Sequence, residues 1–157
     1  MPESFKTKLL RWQLNCIPCF LFTGARIVYI ADDLKEVRIK LPLSWITRNY
    51  IGTIFGGSMF AATDPIYMLM LIKCLGPEYI VVDKAASIKF KKLARETLYA
   101  TCVLSDEELD AINTQLQTQP KLDRNYSIDL LTKGGDVCAS IERTVYLRRK
   151  VNQSAGT

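Results

Sequence analysis

The sequence predicts an α+β domain in which an antiparallel sheet of about six strands wraps around one long central helix. Three observations predict it. A stretch from about residue 57 to 75 is apolar nearly all round, so it reads as a helix enclosed by other structure. Six other runs have strand character. One of them, 36–41, alternates cleanly: Val37, Ile39 and Leu41 share one face, and Glu36, Arg38 and Lys40 the other. That is the pattern of a half-buried antiparallel strand.

Each element follows in order. Residues 3–14 predict a short amphipathic helix, with Phe5, Leu9 and Trp12 at i, i+4 and i+7. Residues 16–20 read as a connector. Residues 26–30 form a strand by their β-branched and aromatic content, and Asp32-Asp33 turns the chain into the alternating strand 36–41. Pro42 ends that strand, and a polar loop leads to the long helix. Gly76-Pro77 closes the helix, as a C-terminal stop signal does. Strands are expected at 79–90, 97–104, 125–131 and 137–147. Ser105-Asp-Glu-Glu108 is a capping-box pattern, and Leu109, Ile112 and Leu116 give the helix after it one apolar face that ends near Pro120. Gly134-Gly135 joins the last two strands as a tight hairpin. Residues 152–157 are expected to fray.

Composition bounds the class. The chain has 157 residues, 48% hydrophobic and 24% charged, which suits one globular domain over 1–157. The longest apolar run, 58–72, is interrupted by Asp64 and Pro65, so a buried core helix is expected rather than a membrane span. Charge stands early in Met1-Pro-Glu-Ser-Phe-Lys6, where a signal peptide has its apolar region, so a cytoplasmic location is expected. The formal charge of +5 favours anionic partners without choosing among nucleic acid, acidic lipid and phosphate-bearing small molecules. Five cysteines and no histidine point to reduced thiols. Cys74, Cys102 and Cys138 sit in apolar runs and read as buried thiols. Cys16-Ile-Pro-Cys19 lacks the βαβ context of a redox motif and the further ligands of a zinc site, so no metal is expected.

The chemistry concentrates in 49–64. Gly56-Gly57 opens the apolar helix, where free N–H groups and the positive dipole end face outward. Asp64 is a lone carboxylate among Phe60, Ala61, Ala62, Tyr67 and Met68. Donors for an oxyanion together with a carboxylate base suit carbonyl chemistry. Gly57 and Asp64 are seven residues apart, about 10 Å along a helix axis, whereas a reacting carbon lies roughly 3 Å from both groups. The spacing favours a site shared by two antiparallel helices from paired subunits.

The segment Asn49-x-x-Gly52-Thr-x-Phe55-Gly56-Gly57, followed by Phe60 and Asp64, resembles the Asn-x-x-Gly-Thr-x-His-Gly-Gly…Asp signature of hotdog-fold thioesterases of the phenylacetyl-CoA type. Ser87-Ile-Lys-Phe90-x-x-Leu-Ala94-x-x-Thr97-Leu-x-Ala is similar to the strand-turn-strand that follows the central helix in that family. The resemblance covers roughly residues 20–150 and is nearest to an uncharacterised branch of the superfamily. It implies a homodimer paired edge to edge, or a dimer of dimers, acting on an acyl-CoA or acyl-carrier thioester, with no cofactor beyond the coenzyme A of the substrate. It implies that Gly57 donates to the thioester carbonyl, that Asp64 is base or nucleophile, and that Asn49 positions carbonyl or water. Phe55 stands where the family has histidine, which removes one polar contact to the carbonyl. Phe55, Gly56, Phe60 and Met68 would line the acyl site, and Lys89, Lys91, Lys92 and Arg95 would meet the CoA phosphates.

Plainer readings stand beside these. Asp64-Pro65 also fits an N-cap followed by proline at the first helical position, with the helix starting there; if the helix starts earlier, Pro65 kinks it. Gly56-Gly57 also fits a turn, Asn49 a loop residue bonding its own backbone, and the lysine cluster a solvated strand end. Phe55, Phe60 and Met68 also fit the core. A non-catalytic acyl-CoA or fatty-acyl binder on the same fold is the alternative function, and Phe55 favours it. Nucleic-acid binding is disfavoured, because 21 Lys and Arg stand against 16 Asp and Glu and no nucleic-acid motif is present.

Overall fold

The computed structural model describes residues 3–150. The expected frayed tail, 152–157, lies outside them. The elements run α1 (Phe5–Cys16), α2 (Pro18–Leu21), β1 (Arg26–Ile30), β2 (Glu36–Leu41), α3 (Gly56–Ala62), α4 (Ile66–Leu75), β3 (Tyr79–Phe90), β4 (Leu98–Val103), α5 (Asp106–Thr118), β5 (Leu122–Leu131) and β6 (Val137–Arg149). The six strands form one sheet in the order β1-β2-β4-β5-β6-β3, with every neighbour antiparallel.

Period-two patterning builds the sheet. Val37, Ile39 and Leu41 of β2, Leu98, Ala100 and Cys102 of β4, and Ile128 and Leu130 of β5 are buried. Their neighbours in sequence face out. In β6 the inward register carries Ala139, Ile141, Arg143, Val145 and Leu147, and all five are buried. The helices α3 and α4 complete this core through Met59, Ala62, Ile66, Tyr67, Met70 and Leu71. By length and composition alone Gly56–Leu75 could cross a membrane. Its packing against the sheet makes it a core element.

The central helix is two helices. It stops at Ala62 and restarts at Ile66 across Thr63-Asp64-Pro65, with a cis Asp64–Pro65 peptide. Proline has no N–H for the bond to the carbonyl four residues back, and its ring clashes with the preceding turn. The Asp64 amide bonds the Ala61 carbonyl at 3.2 Å, and the Ile66 amide bonds the Thr63 carbonyl at 3.2 Å. The cap reading is corrected as well: Pro65 is the N-cap of α4, without a side-chain cap, and the Asp64 carboxylate is engaged elsewhere. Gly76, at φ 88°, closes α4 as expected.

Two further expectations meet the structure differently. In α5, Ser105 accepts the Glu108 amide at 3.2 Å and Leu109, Ile112 and Leu116 are buried, as the pattern predicts. In α1, Phe5, Leu9 and Trp12 do not pack inward. They are 82%, 47% and 64% exposed, while Thr7, Leu10 and Leu14 face the core. The helix is held in that orientation by side chains on the edge of β1. Asn15 donates to the Ile27 carbonyl and accepts its amide, both at 2.8 Å, and Glu3 accepts the Ile30 amide at 3.3 Å.

Candidate functional site

The glycine motif folds as a loop that docks on the chain after β3. Asn49 Oδ1 accepts the amides of Ile51 and Thr53 at 3.1 and 3.0 Å, and its Nδ2 donates to Thr53 Oγ1 at 2.9 Å. Asn49 thus ties its own loop together, the plainer of its two readings. The Ile54 amide bonds the Ala94 carbonyl at 2.9 Å, and the Phe55 amide bonds the Thr47 carbonyl at 2.7 Å. The loop then opens α3. Its cap, Phe55, offers no side-chain acceptor, so the first amides of the helix, Gly56 and Gly57, have no partner within it.

Both glycines sit close to an aromatic ring. A Cβ on Gly57 would lie 2.3 Å from Cε1 of Phe55, and one on Gly56 would lie 2.7 Å from Cζ of Phe90. Two aromatic rings therefore lie against the start of α3. In front of Gly56 is an open cleft of about 380 Å³ lined by Asn49, Thr53, Gly56, Phe90, Lys91 and Lys92 among others. The structure thus brings together Asn49, Gly56 and two of the predicted cations. Lys89 and Arg95 are exposed but do not line this cleft. Lys92 is paired with Asp136 at 2.7 Å.

Asp64 belongs to a second cluster. Its side chain is 49% exposed, and its Oδ2 lies 3.3 Å from Nη1 of Arg143, which is 2% exposed. The same Nη1 lies 3.4 Å from Oδ2 of Asp83 on β3. Nη2 of Arg143 donates to the Phe60 carbonyl at 3.0 Å and to Thr63 Oγ1 at 3.3 Å. The Phe60 ring lies 5.0 Å from the guanidinium carbon. The arginine therefore caps the broken end of α3, where carbonyls lack amides and the dipole favours a cation.

Charge is not balanced within the cluster, since two carboxylates share one guanidinium. Burial pushes the Asp83 carboxyl above its ordinary value; Arg143 opposes that shift and Asp64 adds to it. Asp83 Oδ1 and Arg143 Nε have no hydrogen-bond partner among the described residues. Such polar atoms are costly inside a protein. Asp83 is on the inner face because it sits opposite Val145, just before a bulge at Lys84.

The cleft and the carboxylate are separate in one chain: Asp64 does not line the cleft. Phe60 touches the arginine, Met68 packs half-buried on the core, and Phe55 is 57% exposed. The strictly apolar space lies elsewhere, between α1–α2 and α4. Two cavities there, of about 40 and 120 Å³, share Leu14, Ile27, Ile66 and Leu69, and the larger reaches Pro65 beside Asp64. Phe55, Phe60 and Met68 line neither. Cys16 and Cys19 are exposed free thiols, Cys102 and Cys138 are buried, and Cys74 is half-buried.

Sequence reasoning missed Arg143 and Asp83. The signal was parity. In Ala139-x-Ile141-x-Arg143-x-Val145-x-Leu147 a cation occupies an apolar register, and in Val81-x-Asp83 a carboxylate does.

Several solved structures share this architecture. A protein of unknown function from Pseudomonas aeruginosa, called a probable thioesterase, is 20% identical, with TM-score 0.81 over 96% of this chain and 99% of that one. A thioesterase from Haemophilus influenzae is 16% identical, with TM-score 0.70 over 98% and 97%. A protein of unknown function from Chlorobaculum tepidum is 15% identical, with TM-score 0.72 over 91% and 94%. No curated protein matches the chain. The fold is the hotdog fold, as the motif resemblance implied. Residues 6–147 match the family model described as a domain of unknown function, DUF4442, and the chain belongs to that family.

Proposed function

We propose that the protein is a thioesterase acting on an acyl-CoA or acyl-carrier thioester as a homodimer. The observation that carries this reading is the half-exposed Asp64 carboxylate held at the helix break by buried Arg143. A carboxylate so placed is open to substrate yet fixed in position. Its separation from the Gly56 cleft supports a site completed by a second copy, with the Gly57 amide of one protomer opposite Asp64 of the other. The relatives named thioesterases agree with the reading.

In this mechanism the thioester carbonyl accepts from the amides that have no partner within α3 at its start, where the helix dipole favours developing negative charge. Asp64 takes a proton from water as it attacks the carbonyl carbon, or attacks directly to give a mixed anhydride that water cleaves. The thiolate leaves and is protonated. Lys91 and Lys92 meet the phosphates of a CoA carrier. The acyl chain runs along Phe60 and Met68 or into the apolar crevice beside Pro65.

The test is thiol release from a panel of short, medium, long and aromatic acyl-CoAs. Asp64→Asn is expected to lower turnover by about 10²–10⁴-fold, the usual contribution of a positioned base. The second reading, acyl binding without turnover, is favoured by one observation: the Phe55 ring lies against Gly57 in place of a polar side chain. Saturable acyl-CoA binding with no thiol release would establish that reading instead, and turnover unchanged in Asp64→Asn would remove Asp64 from the mechanism.

A further inference from the structure

Helix α1 carries two apolar faces, and the core uses only one. On a helical projection Phe5, Leu9, Trp12 and Cys16 fall within an arc of about 60°. Thr7, Leu10 and Leu14 lie on the opposite side, and the latter two wall the apolar crevice. The outer stripe is bare: Phe5 and Trp12 are among the most exposed large side chains of the described residues. It is also firmly presented, because Asn15 and Glu3 pin the helix to β1 at both ends.

The charge around the stripe identifies what covers it. The helix contains no Asp or Glu. Lys6 and Lys8 flank the stripe on its two sides, and neither has an ion pair among the described residues. Arg11, further round, is satisfied by Glu3 at 2.7 Å. Tryptophan, phenylalanine and leucine between lysines is the composition of a helix lying in the plane of a bilayer interface, its rings among the acyl chains and its lysines at the headgroups. A second copy of the chain is a poorer occupant. A two-fold contact would set this uncompensated cationic helix against itself. An anionic lipid surface supplies the missing charge.

We propose that α1 docks the protein on anionic membrane surfaces through Phe5, Leu9 and Trp12, with Lys6 and Lys8 at the headgroups. The docked face is the outer side of the helix whose inner side walls the apolar crevice, so α1 lies between the crevice and the lipid. The proposal is independent of catalysis, since it uses no residue of the Asp64 cluster or the glycine cleft.

The chain has two tryptophans, Trp12 and Trp45. In Trp45→Phe, Trp12 reports alone. Vesicles containing phosphatidylglycerol are expected to carry the protein in flotation, to shift Trp12 emission to the blue, and to allow quenching by brominated acyl chains. Neutral phosphatidylcholine vesicles are expected to bind at least about tenfold more weakly. Phe5→Ser/Leu9→Ser/Trp12→Ser should abolish flotation, and Lys6→Glu/Lys8→Glu should remove the preference for anionic lipid, both with unchanged far-ultraviolet circular dichroism. The proposal is overturned if native protein stays with the solution fraction, if the triple variant still floats, or if Trp12 is buried by self-association that light scattering detects and vesicles do not alter.

Discussion

The two edges of the sheet are finished in opposite ways. At β1 the carbonyl and amide of Ile27 are bonded by Asn15 of α1, and the Ile30 amide by Glu3 just before that helix. At β3, Ala85, Ala86 and Ser87 run exposed along the outer side, and small side chains leave the backbone accessible. Unpaired strand edges are templates for another strand, and proteins cover or charge the ones they do not use. One edge is closed by the chain itself, and the other is left open behind Asp83 and Arg143. The contrast supports β3 as the edge that meets the second copy.

The largest expected effect lies beneath the open edge. Arg143→Ala removes the only cation seen to contact Asp64 and Asp83 among the described residues, and strips the Phe60 carbonyl of a donor. Breaking a buried ion pair from one side costs about 3–5 kcal/mol, so urea denaturation should show a loss of that order. A loss below about 1 kcal/mol would mean that the arginine is bound too loosely to organise the edge.

Next comes the edge itself. Ala85→Lys/Ala86→Lys sets like charges against each other wherever two β3 strands meet. Light scattering should show native dimer and variant monomer, and turnover should fall together with dimerisation. Val28→Lys at the covered edge is the control, since Val28 is also exposed, and it should leave the mass unchanged. Equal behaviour of the two variants would dissolve the comparison.

Uncovering β1 is expected to cost less. Asn15→Ala leaves the Ile27 amide and carbonyl without their side-chain partners. The expected loss is about 1–3 kcal/mol, with faster aggregation on heating as the edge opens. Unchanged stability and unchanged aggregation would show that water replaces Asn15 at no cost.

These regions also show what the sequence could reveal. The strands were legible because each buries one face, so alternation such as that of β2 records both strand and register. The glycine loop and Asp64 were legible as local departures from an apolar run. The face of α1 was misread, because a stripe of Phe5, Leu9 and Trp12 has the same period whether it meets a core or a bare surface. The orientation was decided by Asn15 and Glu3, two polar residues whose partners are 12 and 27 positions away. Pro65 announced a break, but what holds the broken end is an arginine 83 residues from Phe60. Long-range pairs of this kind are settled by topology, which periodicity alone does not carry.

The smallest expected effect is a pH slope traceable to Asp83, the one carboxylate that belongs to both the open edge and the cluster. Its folded-state value is raised, chiefly by burial, with Asp64 contributing and Arg143 opposing. The folded protein therefore binds that proton more tightly than the unfolded chain does. Where the unfolded form has already lost the proton and the folded form has not, stability declines with rising pH. The decline begins near the ordinary aspartate value of about 4 and ends at the raised folded value. Asp83→Asn should remove this slope, leaving the variant close to the native protein where Asp83 is protonated and more stable above its raised folded value. Melting temperatures of the two proteins followed across the mildly acidic range read that difference directly. A native stability that does not fall relative to Asp83→Asn through that range would show that the guanidinium, and not burial, governs Asp83, and that the open edge rests on a fully ionised cluster.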